Sequence, residues 1–283
     1  MRFLSVLGLI VFAMPARAQT VYTPPDLSGV WTRDFEISNL LDPPLSGYGP
    51  IAQDPRFPKT DHNGVPRRVP TAEELENVIR FTTSWVPDPS SPILQPQTRA
   101  ALQKIADQEL QGIPHPEMQT LCKPSGVPHI VNILNSTMIL QTPTEVVFLY
   151  ERDHQVRHVY LNKSHSEHPG RAWYGDSVGH YEGDTLVVDT IGQNDKTHID
   201  RFATPHSDKI HVVERYRLSE DGRTIEALVT VEDPVAFAVS WSGSAAYRPV
   251  GDIWFENICG ENNQREFWPG HILPIAVDNS PDF

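Results

Sequence analysis

Cysteine is scarce in this chain, which contains only Cys122 and Cys259 among its 283 residues. Neither residue belongs to a C-x-x-C pair or to a zinc-type ligand spacing, and this excludes zinc fingers and thioredoxin-like redox centres. In an oxidising compartment two cysteines far apart in sequence most simply form one disulfide. We therefore predict a Cys122–Cys259 bridge, with a free thiol nucleophile as the alternative.

Basic residues are also in the minority. Lysine and arginine total 23 against 36 aspartate and glutamate residues, which gives a formal net charge of −13. Removal of Arg2 and Arg17 with an N-terminal leader would take this charge to −15. Such a surface repels phosphate backbones and anionic lipid headgroups, so nucleic acid and membrane are poor candidates for partners.

Long apolar runs are missing beyond the N-terminus. Residues 3–14 form an apolar stretch after Arg2, and Ala16-Arg17-Ala18 follows it with the small-x-small pattern that signal peptidase recognises. The stretch is too short to span a bilayer, and no later run approaches that length. We predict a signal peptide over residues 1–18, cleavage after Ala18 and a periplasmic or secreted product, with an N-terminal anchor as the alternative.

Two sections of different composition follow the predicted signal peptide. Proline and turn residues dominate residues 19–70, which predicts an extended segment with one short strand near Trp31. Residues 71–121 predict a helical section, in which a capping box starts one helix at Ala72 and a second helix covers residues 97–111.

Residues 122–283 form the predicted β domain, and residues 19–283 are expected to fold as one unit. Gly183 and Gly222 mark hairpin turns between short β-rich runs. No helix-length segment separates the runs, so the sequence predicts a mainly β fold: an antiparallel meander without parallel crossovers, barrel-like or strongly curved. One further strand is predicted at residues 252–259. The main runs cover residues 129–142, 145–152, 156–162, 184–192, 209–219 and 224–233.

Two resemblances accompany this pattern. Residues 27–31 (LSGVW) resemble the G-x-W signature of the lipocalin and calycin barrels at Gly29 and Trp31, which implies a calycin-like closed barrel. A buried Trp31 that serves as plain core is the alternative. Residues 160–234 resemble a widespread family of exported, uncharacterised bacterial proteins through the phrases EGDTLVVDT and PHSDKIHVVERYR. That resemblance implies export and carries no catalytic assignment.

Glu214 interrupts the apolar face of its predicted strand, where it alternates in phase with Val212 and Leu218. An ionised carboxylate on such a face costs several kcal/mol unless it is paired, protonated or beside a wet cavity. One interpretation is an ion pair with Arg157 or Arg201. The other is a general acid/base in a polar pocket.

Histidines are concentrated near this strand. Eight of the twelve lie between residues 154 and 211, where even spacing would place two or three. If strands 184–191 and 209–218 are neighbours, the connection between them brings imidazole, carboxylate and guanidinium groups to one end of the sheet. A hydrogen-bonded loop with Asx-type turns is the alternative. The predicted catalytic residues are Glu214, His206, Asp200, His198 and His211, and the predicted substrate-binding residues are Arg201, Arg215, Asp189, Tyr216 and His158.

His165 and His168 are the candidate metal ligands, since SHSEHPG places them with Glu167 within four residues. A solvated loop is the alternative. We expect no required cofactor, with a divalent metal at this loop as the exception.

These features predict an exported enzyme that uses histidine–carboxylate acid–base chemistry as a lyase, isomerase or non-covalent hydrolase. Its substrate would be a small polar organic molecule or a sugar derivative. A non-catalytic periplasmic β-barrel that binds a small ligand or metal is the alternative, and a structural envelope protein is a third class.

Overall fold

The computed structural model describes residues 24–34, 49–53, 85–110, 118–119, 121–133, 135–251, 254–262, 266–268 and 271–272. The predicted signal peptide, the helix predicted from Ala72 and most of the proline-rich segment lie outside these residues. None of the described helices is both long and apolar enough to cross a membrane.

The described elements are mostly strands. In chain order they are β1 (Gly29–Arg33), β2 (Ile51–Gln53), β3 (Trp85–Pro87), helix α1 (Pro96–Leu110), a 3₁₀ helix (His129–Asn132), β4 (Thr137–Gln141), β5 (Glu145–Tyr150), β6 (Gln155–Leu161), β7 (Asp176–Glu182), β8 (Thr185–Ile191), β9 (His211–Leu218), β10 (Ile225–Glu232), β11 (Trp241–Pro249), helix α2 (Cys259–Asn262), β12 (Glu266–Trp268) and β13 (His271–Ile272). The helix predicted over residues 97–111 is confirmed as α1.

Nine of the described strands close into one barrel, in the order β1-β11-β10-β9-β8-β7-β6-β5-β4. Closure depends on β1, which pairs with β11 on one side and β4 on the other. Trp31 of β1 is buried, and its indole Nε1 donates a hydrogen bond to the Leu27 carbonyl at 2.9 Å. The predicted barrel-like fold is confirmed, and Trp31 is a core residue.

Residue alternation explains the central strands. Along β10, Ile225, Ala227, Val229 and Val231 face the interior while the residues between them face outward. Tight hairpins join β7 to β8 and β9 to β10, with Gly183 and Gly222 at positive φ values of 58° and 69°. The predicted hairpins are therefore confirmed, because each of these glycines lies in the turn between two paired antiparallel strands.

One strand pair contradicts the predicted all-antiparallel meander. β6 and β7 are parallel, with Tyr160 opposite Val178 and Leu161 opposite Gly179. Residues 162–175 return from one end of the barrel to the other without a helix. The exclusion of parallel pairs was wrong because a crossover needs length and not helicity, and this extended segment is long enough to span a seven-residue strand.

The predicted strand at residues 252–259 is also wrong for the part that the structure describes. Asn257 makes a single bridge to Arg152, and helix α2 begins at Cys259. β11, which the predictions miss, closes the barrel instead. Its sequence WSGSAAYRP is rich in small residues, so it lacks the apolar alternation that reveals β10.

The disulfide prediction is confirmed. Cys122 and Cys259 are bonded, with their Cα atoms 5.5 Å apart across a sequence separation of 137 residues. The Cys259 amide also donates to Asp153 Oδ1 at 2.6 Å. The bridge therefore joins the chain between β1 and β4 to the chain after β11, next to the β5–β6 connection.

The two ends of the barrel differ in their connections. One end, here called the turn end, carries the tight connections 142–144, 183–184 and 219–224. The opposite end, the loop end, carries the connections 192–210 and 233–240 together with the 3₁₀ helix before β4. Long connections on a rigid β scaffold are where functional groups are usually displayed, so the loop end is the expected position of a functional site.

Candidate functional site

Glu214 lies inside the barrel and is paired with Arg157. The carboxylate is fully buried, and the guanidinium donates to both of its oxygens, with Nη1 to Oε1 at 3.0 Å. β6 and β9 are separated by β7 and β8 in the barrel order, so this pair spans the interior. Of the two interpretations of Glu214, the ion pair with Arg157 is the one observed.

The rest of the interior network satisfies the same two charges. The Tyr216 hydroxyl donates to Glu214 Oε1 at 2.6 Å. Arg157 Nη2 donates to Thr190 Oγ1 at 2.8 Å and to Ser177 Oγ at 3.2 Å. Burial raises the pKa of Tyr216 well above its ordinary value, so its hydroxyl stays protonated and remains a donor. The network is thus one ion pair held by neutral hydroxyl groups.

A cavity of about 10 Å³ lies beside this network, lined in part by Tyr150, Tyr216 and Tyr247. That volume accommodates about one water molecule. Burial raises the pKa of Tyr150 to about 12, and the Tyr247 hydroxyl donates to the Val131 carbonyl at 2.6 Å. A small organic substrate would not fit in this cavity, so Glu214 and Tyr216 are held as parts of the core.

The 192–210 connection does reach the loop end, but its side chains bond within the connection. Asp200 accepts hydrogen bonds from the Phe202 amide at 2.9 Å and from the Thr204 hydroxyl at 2.6 Å, which is the Asx-type turn given above as the alternative. Burial raises the pKa of Asp200. The hydrogen-bond partners of Asp200 do not include His206, so these two predicted catalytic residues are not in contact.

His206 is likewise held by local partners. Its Nδ1 lies 2.9 Å from the Ser207 carbonyl, so this nitrogen carries the proton, and Nε2 accepts from the Thr197 hydroxyl at 2.6 Å. Burial lowers the pKa of His206, which favours the neutral ring. Neither His206 nor Asp200 is a partner of Glu214, whose side-chain bonds go to Arg157 and Tyr216.

Three of the predicted site residues converge elsewhere, on the outer face of the barrel. Asp189 of β8 and His211 of β9 point outward in neighbouring strands, and the crossover brings His165 beside them. Asp189 Oδ1 lies 3.0 Å from His165 Nε2 and 2.9 Å from His211 Nε2. The sequence predicted a different role for each of these three residues. They lie close together because of the β6–β7 crossover, which the sequence did not predict.

Two more carboxylates extend this group, which we call the outer-face cluster. Asp176 Oδ2 lies 3.1 Å from His165 Nδ1, and Glu232 Oε2 lies 3.5 Å from His211 Nδ1. Carboxylates and imidazoles therefore alternate in the order Asp176, His165, Asp189, His211 and Glu232, in which the crossover contributes His165 and β7 to β10 contribute the others. The Asp189 side chain is 38% exposed and that of His211 is 35% exposed, so both are accessible to a ligand.

No family model matches this chain, and no curated protein matches it.

The remaining predicted residues lie apart from the outer-face cluster or make local contacts. His158 pairs with Glu145, and Arg215 pairs with Glu182, both on exposed parts of the barrel wall. His168 is exposed in the crossover, where its amide donates to Ser166 Oγ at 3.3 Å. Within the part of the chain that the structure describes, no three histidine, cysteine or acidic side chains are arranged to hold a metal ion.

Residues 175–179 (GDSVG) have the G-x-S-x-G spacing of a nucleophile elbow. An elbow needs an exposed serine on a sharp turn between a strand and a helix. Ser177 instead lies within β7, is buried, and shares hydrogen bonds with Arg157 and Thr190. Ser177 is therefore a buried residue of a barrel strand and not a nucleophile.

His129 is a titratable residue that the predictions missed, because it lies outside the histidine-rich window. It is buried in the 3₁₀ helix. Burial lowers its pKa from 6.5 to about 3, and the charges of His198 and Arg201 add to this effect. The connection that carries His198 and Arg201 packs on the residues just before the 3₁₀ helix, because Gln193 is hydrogen-bonded to Val127 and Thr197 lies against Gly126.

This low pKa predicts a pH-dependent stability. Folded His129 stays neutral down to about pH 3, whereas the unfolded chain protonates it near pH 6.5. Unfolding therefore takes up a proton between these values, and the free energy of unfolding falls as the pH falls, by about 1.4 kcal/mol per pH unit. We expect His129→Gln to remove about 2 kcal/mol of the loss between pH 6.5 and 4.5, measured by urea denaturation. The exposed His180→Gln should keep the wild-type slope, and equal slopes in all three proteins would contradict the assignment.

Proposed function

We propose that this protein is an exported enzyme that performs acid–base chemistry on a small polar molecule, and that the outer-face cluster is its active site. The observation that carries the proposal is the contact of one partly exposed carboxylate, Asp189, with two imidazoles. A carboxylate that orients an imidazole is the usual arrangement for proton transfer near neutral pH.

His211 is the proposed acid/base. A carboxylate only accepts hydrogen bonds, so the 2.9 Å contact with Asp189 places a proton on Nε2 of His211. Nδ1 of the neutral ring then keeps its lone pair, which lies 3.5 Å from Glu232 Oε2 and can accept a proton from a substrate that approaches beside that carboxylate. The resulting imidazolium is stabilised by Asp189 on one side and Glu232 on the other. Donation of the same proton in a later step completes the cycle.

His165 has a positioning role in this proposal. Its two ring nitrogens contact Asp176 and Asp189, and both contacts are hydrogen bonds only when the ring is an imidazolium with two N–H donors. That cation would offset the repulsion between the two carboxylates and hold the crossover against the barrel wall. Asp189 is thereby fixed in the orientation that His211 requires.

The reaction class follows from what the site contains. The cluster consists of imidazoles and carboxylates without a serine or cysteine nucleophile, which favours elimination, isomerisation or hydrolysis without a covalent intermediate. Substrates with an ionisable C–H or O–H beside a polar group, such as sugars and their derivatives, fit this chemistry. Glu214, His206 and Asp200 are not part of the proposal, since their side chains are committed to internal partners.

The test is a turnover screen of sugars, sugar acids and other small polar compounds by proton NMR. For any compound that the wild type converts, we expect His211→Gln and Asp189→Asn to lower kcat by about 10²–10⁴-fold with a smaller change in KM. His180→Gln is the matched control, because His180 is an exposed histidine on β7 whose partner is Glu182. It should retain wild-type turnover.

Three outcomes would count against the proposal. Unchanged kcat in His211→Gln would remove the assigned acid/base. Compounds that raise Tm but leave the protein unaltered would favour the alternative of a non-catalytic binding protein. A screen with neither turnover nor binding would favour a structural role for the charged barrel wall.

A further inference from the structure

We propose that the substrate of the outer-face cluster is a small polyhydroxy molecule with an ammonium group, such as an amino sugar, and that Glu232, Thr230 and Ser242 select it. The inference rests on the proposed function, because it takes the outer-face cluster as the substrate site. It goes further by naming the charge of the substrate, the strands on which the substrate lies and the side chains that recognise it.

The position of the substrate follows from the two nitrogens of His211. Asp189 contacts Nε2 from β8, so Nδ1 is the nitrogen that exchanges a proton with the substrate. Nδ1 faces β10, where Glu232 is the register partner of His211 and its Oε2 lies 3.5 Å from that nitrogen. A molecule that gives a proton to Nδ1 therefore contacts Glu232 and the part of β10 next to it.

The barrel wall beside Glu232 presents two hydroxyl groups and one apolar side chain. Val213, Thr230 and Ser242 are register partners on β9, β10 and β11. All three point outward, and they form the row next to that of His211 and Glu232. The Thr230 and Ser242 hydroxyl oxygens lie 2.9 Å apart, so one hydroxyl donates to the other. The pair keeps one further O–H donor and several lone pairs for the hydroxyl groups of a ligand.

This part of the wall has the dimensions of one sugar ring. Positions two apart on a strand, such as Thr230 and Glu232, are separated by about 6.6 Å, and neighbouring strands by about 4.8 Å. Val213 is partly exposed in the middle of this area and offers an apolar surface for the C–H face of the ring. An apolar floor with a few placed polar groups is the usual composition of a small-molecule site.

The charge of the outer-face cluster determines the charge of the ligand. Its carboxylates are Asp176, Asp189 and Glu232, and its imidazolium is His165. Because His211 is neutral before it accepts the proton, three negative charges face one positive charge. A sugar acid is repelled by this excess of negative charge, whereas a cation is attracted to it.

The basic side chains of this stretch already have acidic partners, in the pairs Arg215–Glu182 and Lys209–Asp208. The carboxylate of Glu232 instead lies beside the neutral ring of His211. The Glu232 side chain is 65% exposed, so it can accept a charge-assisted hydrogen bond from an ammonium group of the substrate. The same contact holds the neighbouring C–H or O–H group beside His211 Nδ1.

Proton NMR titrations with glucosamine, glucose and glucuronate at pH 7 test the charge preference, because these sugars share one ring and carry a positive, no and a negative charge. We expect glucosamine to bind with a Kd on the order of 1 mM, since an open wall covers only one face of the ring. Glucose should bind about tenfold more weakly, and glucuronate more weakly still. EDTA is present throughout, so that no metal ion mediates the binding.

Two variants and a matched control locate the binding surface. Glu232→Gln should remove the preference for glucosamine over glucose, because the ammonium group loses its carboxylate. Thr230→Val should weaken both sugars by about threefold to tenfold through loss of a hydroxyl partner. Glu226→Gln is the control, because Glu226 is an exposed glutamate on the same strand whose partner is Arg217. It should leave every Kd unchanged.

The outcomes separate this inference from the proposed function. Equal affinity for glucosamine and glucose, or no saturable binding of any of the three sugars, would overturn the inference. An unchanged preference in Glu232→Gln would overturn it too, even if the protein converts another compound. Glucosamine that binds through Glu232 but is not converted would support the inference and contradict the enzymatic function. Conversion of an anionic sugar that is abolished by His211→Gln would do the reverse.

Discussion

Replacement of Arg157 with leucine is expected to lower the free energy of unfolding by about 3–5 kcal/mol. The substitution leaves the Glu214 carboxylate inside the barrel with Tyr216 as its donor and no counter-charge. It also removes the donor that serves Ser177 and Thr190. Burial of an unpaired charge is among the largest effects that a single substitution produces, and urea denaturation followed by far-UV circular dichroism measures it.

The double variant Arg157→Leu/Glu214→Leu distinguishes loss of the pair from loss of a single charge. An apolar replacement of both partners removes the desolvation cost together with the attraction, so it should recover most of the stability lost in the single variant. The exposed pair of Arg217 and Glu226 is the matched control, since loss of such a surface pair costs about 0–1 kcal/mol. A loss of less than 1 kcal/mol in Arg157→Leu would show that the carboxylate is protonated or hydrated in the folded protein.

Replacement of both cysteines with serine is expected to lower the free energy of unfolding by about 3–5 kcal/mol. The bridge closes a segment with a sequence separation of 137 residues, and the chain-entropy relation gives about 5 kcal/mol as the upper value for a loop of that size. The Cys259 amide is bonded to Asp153, so part of the local structure should survive without the bridge.

Reduction of the wild type provides an internal comparison for the disulfide. The reduced protein and the Cys122→Ser/Cys259→Ser variant should unfold at similar urea concentrations, and a reductant should not affect the variant. A difference of less than 1 kcal/mol between the oxidised wild type and the variant would show that the barrel does not depend on this link.

Most of the barrel could be predicted from local pattern. β5, β8, β9 and β10 have β-branched or aromatic residues at alternating positions, and a turn with Gly222 joins β9 to β10. β11 was missed because alanine, serine and glycine stand where larger apolar residues would reveal a strand. The parallel β6–β7 pair was excluded because extended crossovers leave no periodic signal in the sequence.

The candidate site was predictable only in part. The inward position of Glu214 follows from the alternation of its strand. The identity of its partner does not, because Arg157 lies on β6, which β7 and β8 separate from β9 in the barrel. His211 and Asp189 are recognisable as polar residues at strand positions. Their contact with His165 depends on where the crossover returns. His129 gives no signal in the sequence, since a single histidine in a proline-rich stretch is uninformative.

The sequence by itself determined the mainly β class, the positions of the hairpins, the disulfide partners and the inward direction of Glu214, because these depend on alternation, turn chemistry and a count of two cysteines. The tertiary structure decided which charges meet. Barrel closure brings Arg157 to Glu214 across the interior and His165 to Asp189 across the outer wall, and such long-range contacts are fixed by strand order and register rather than by neighbours in the chain.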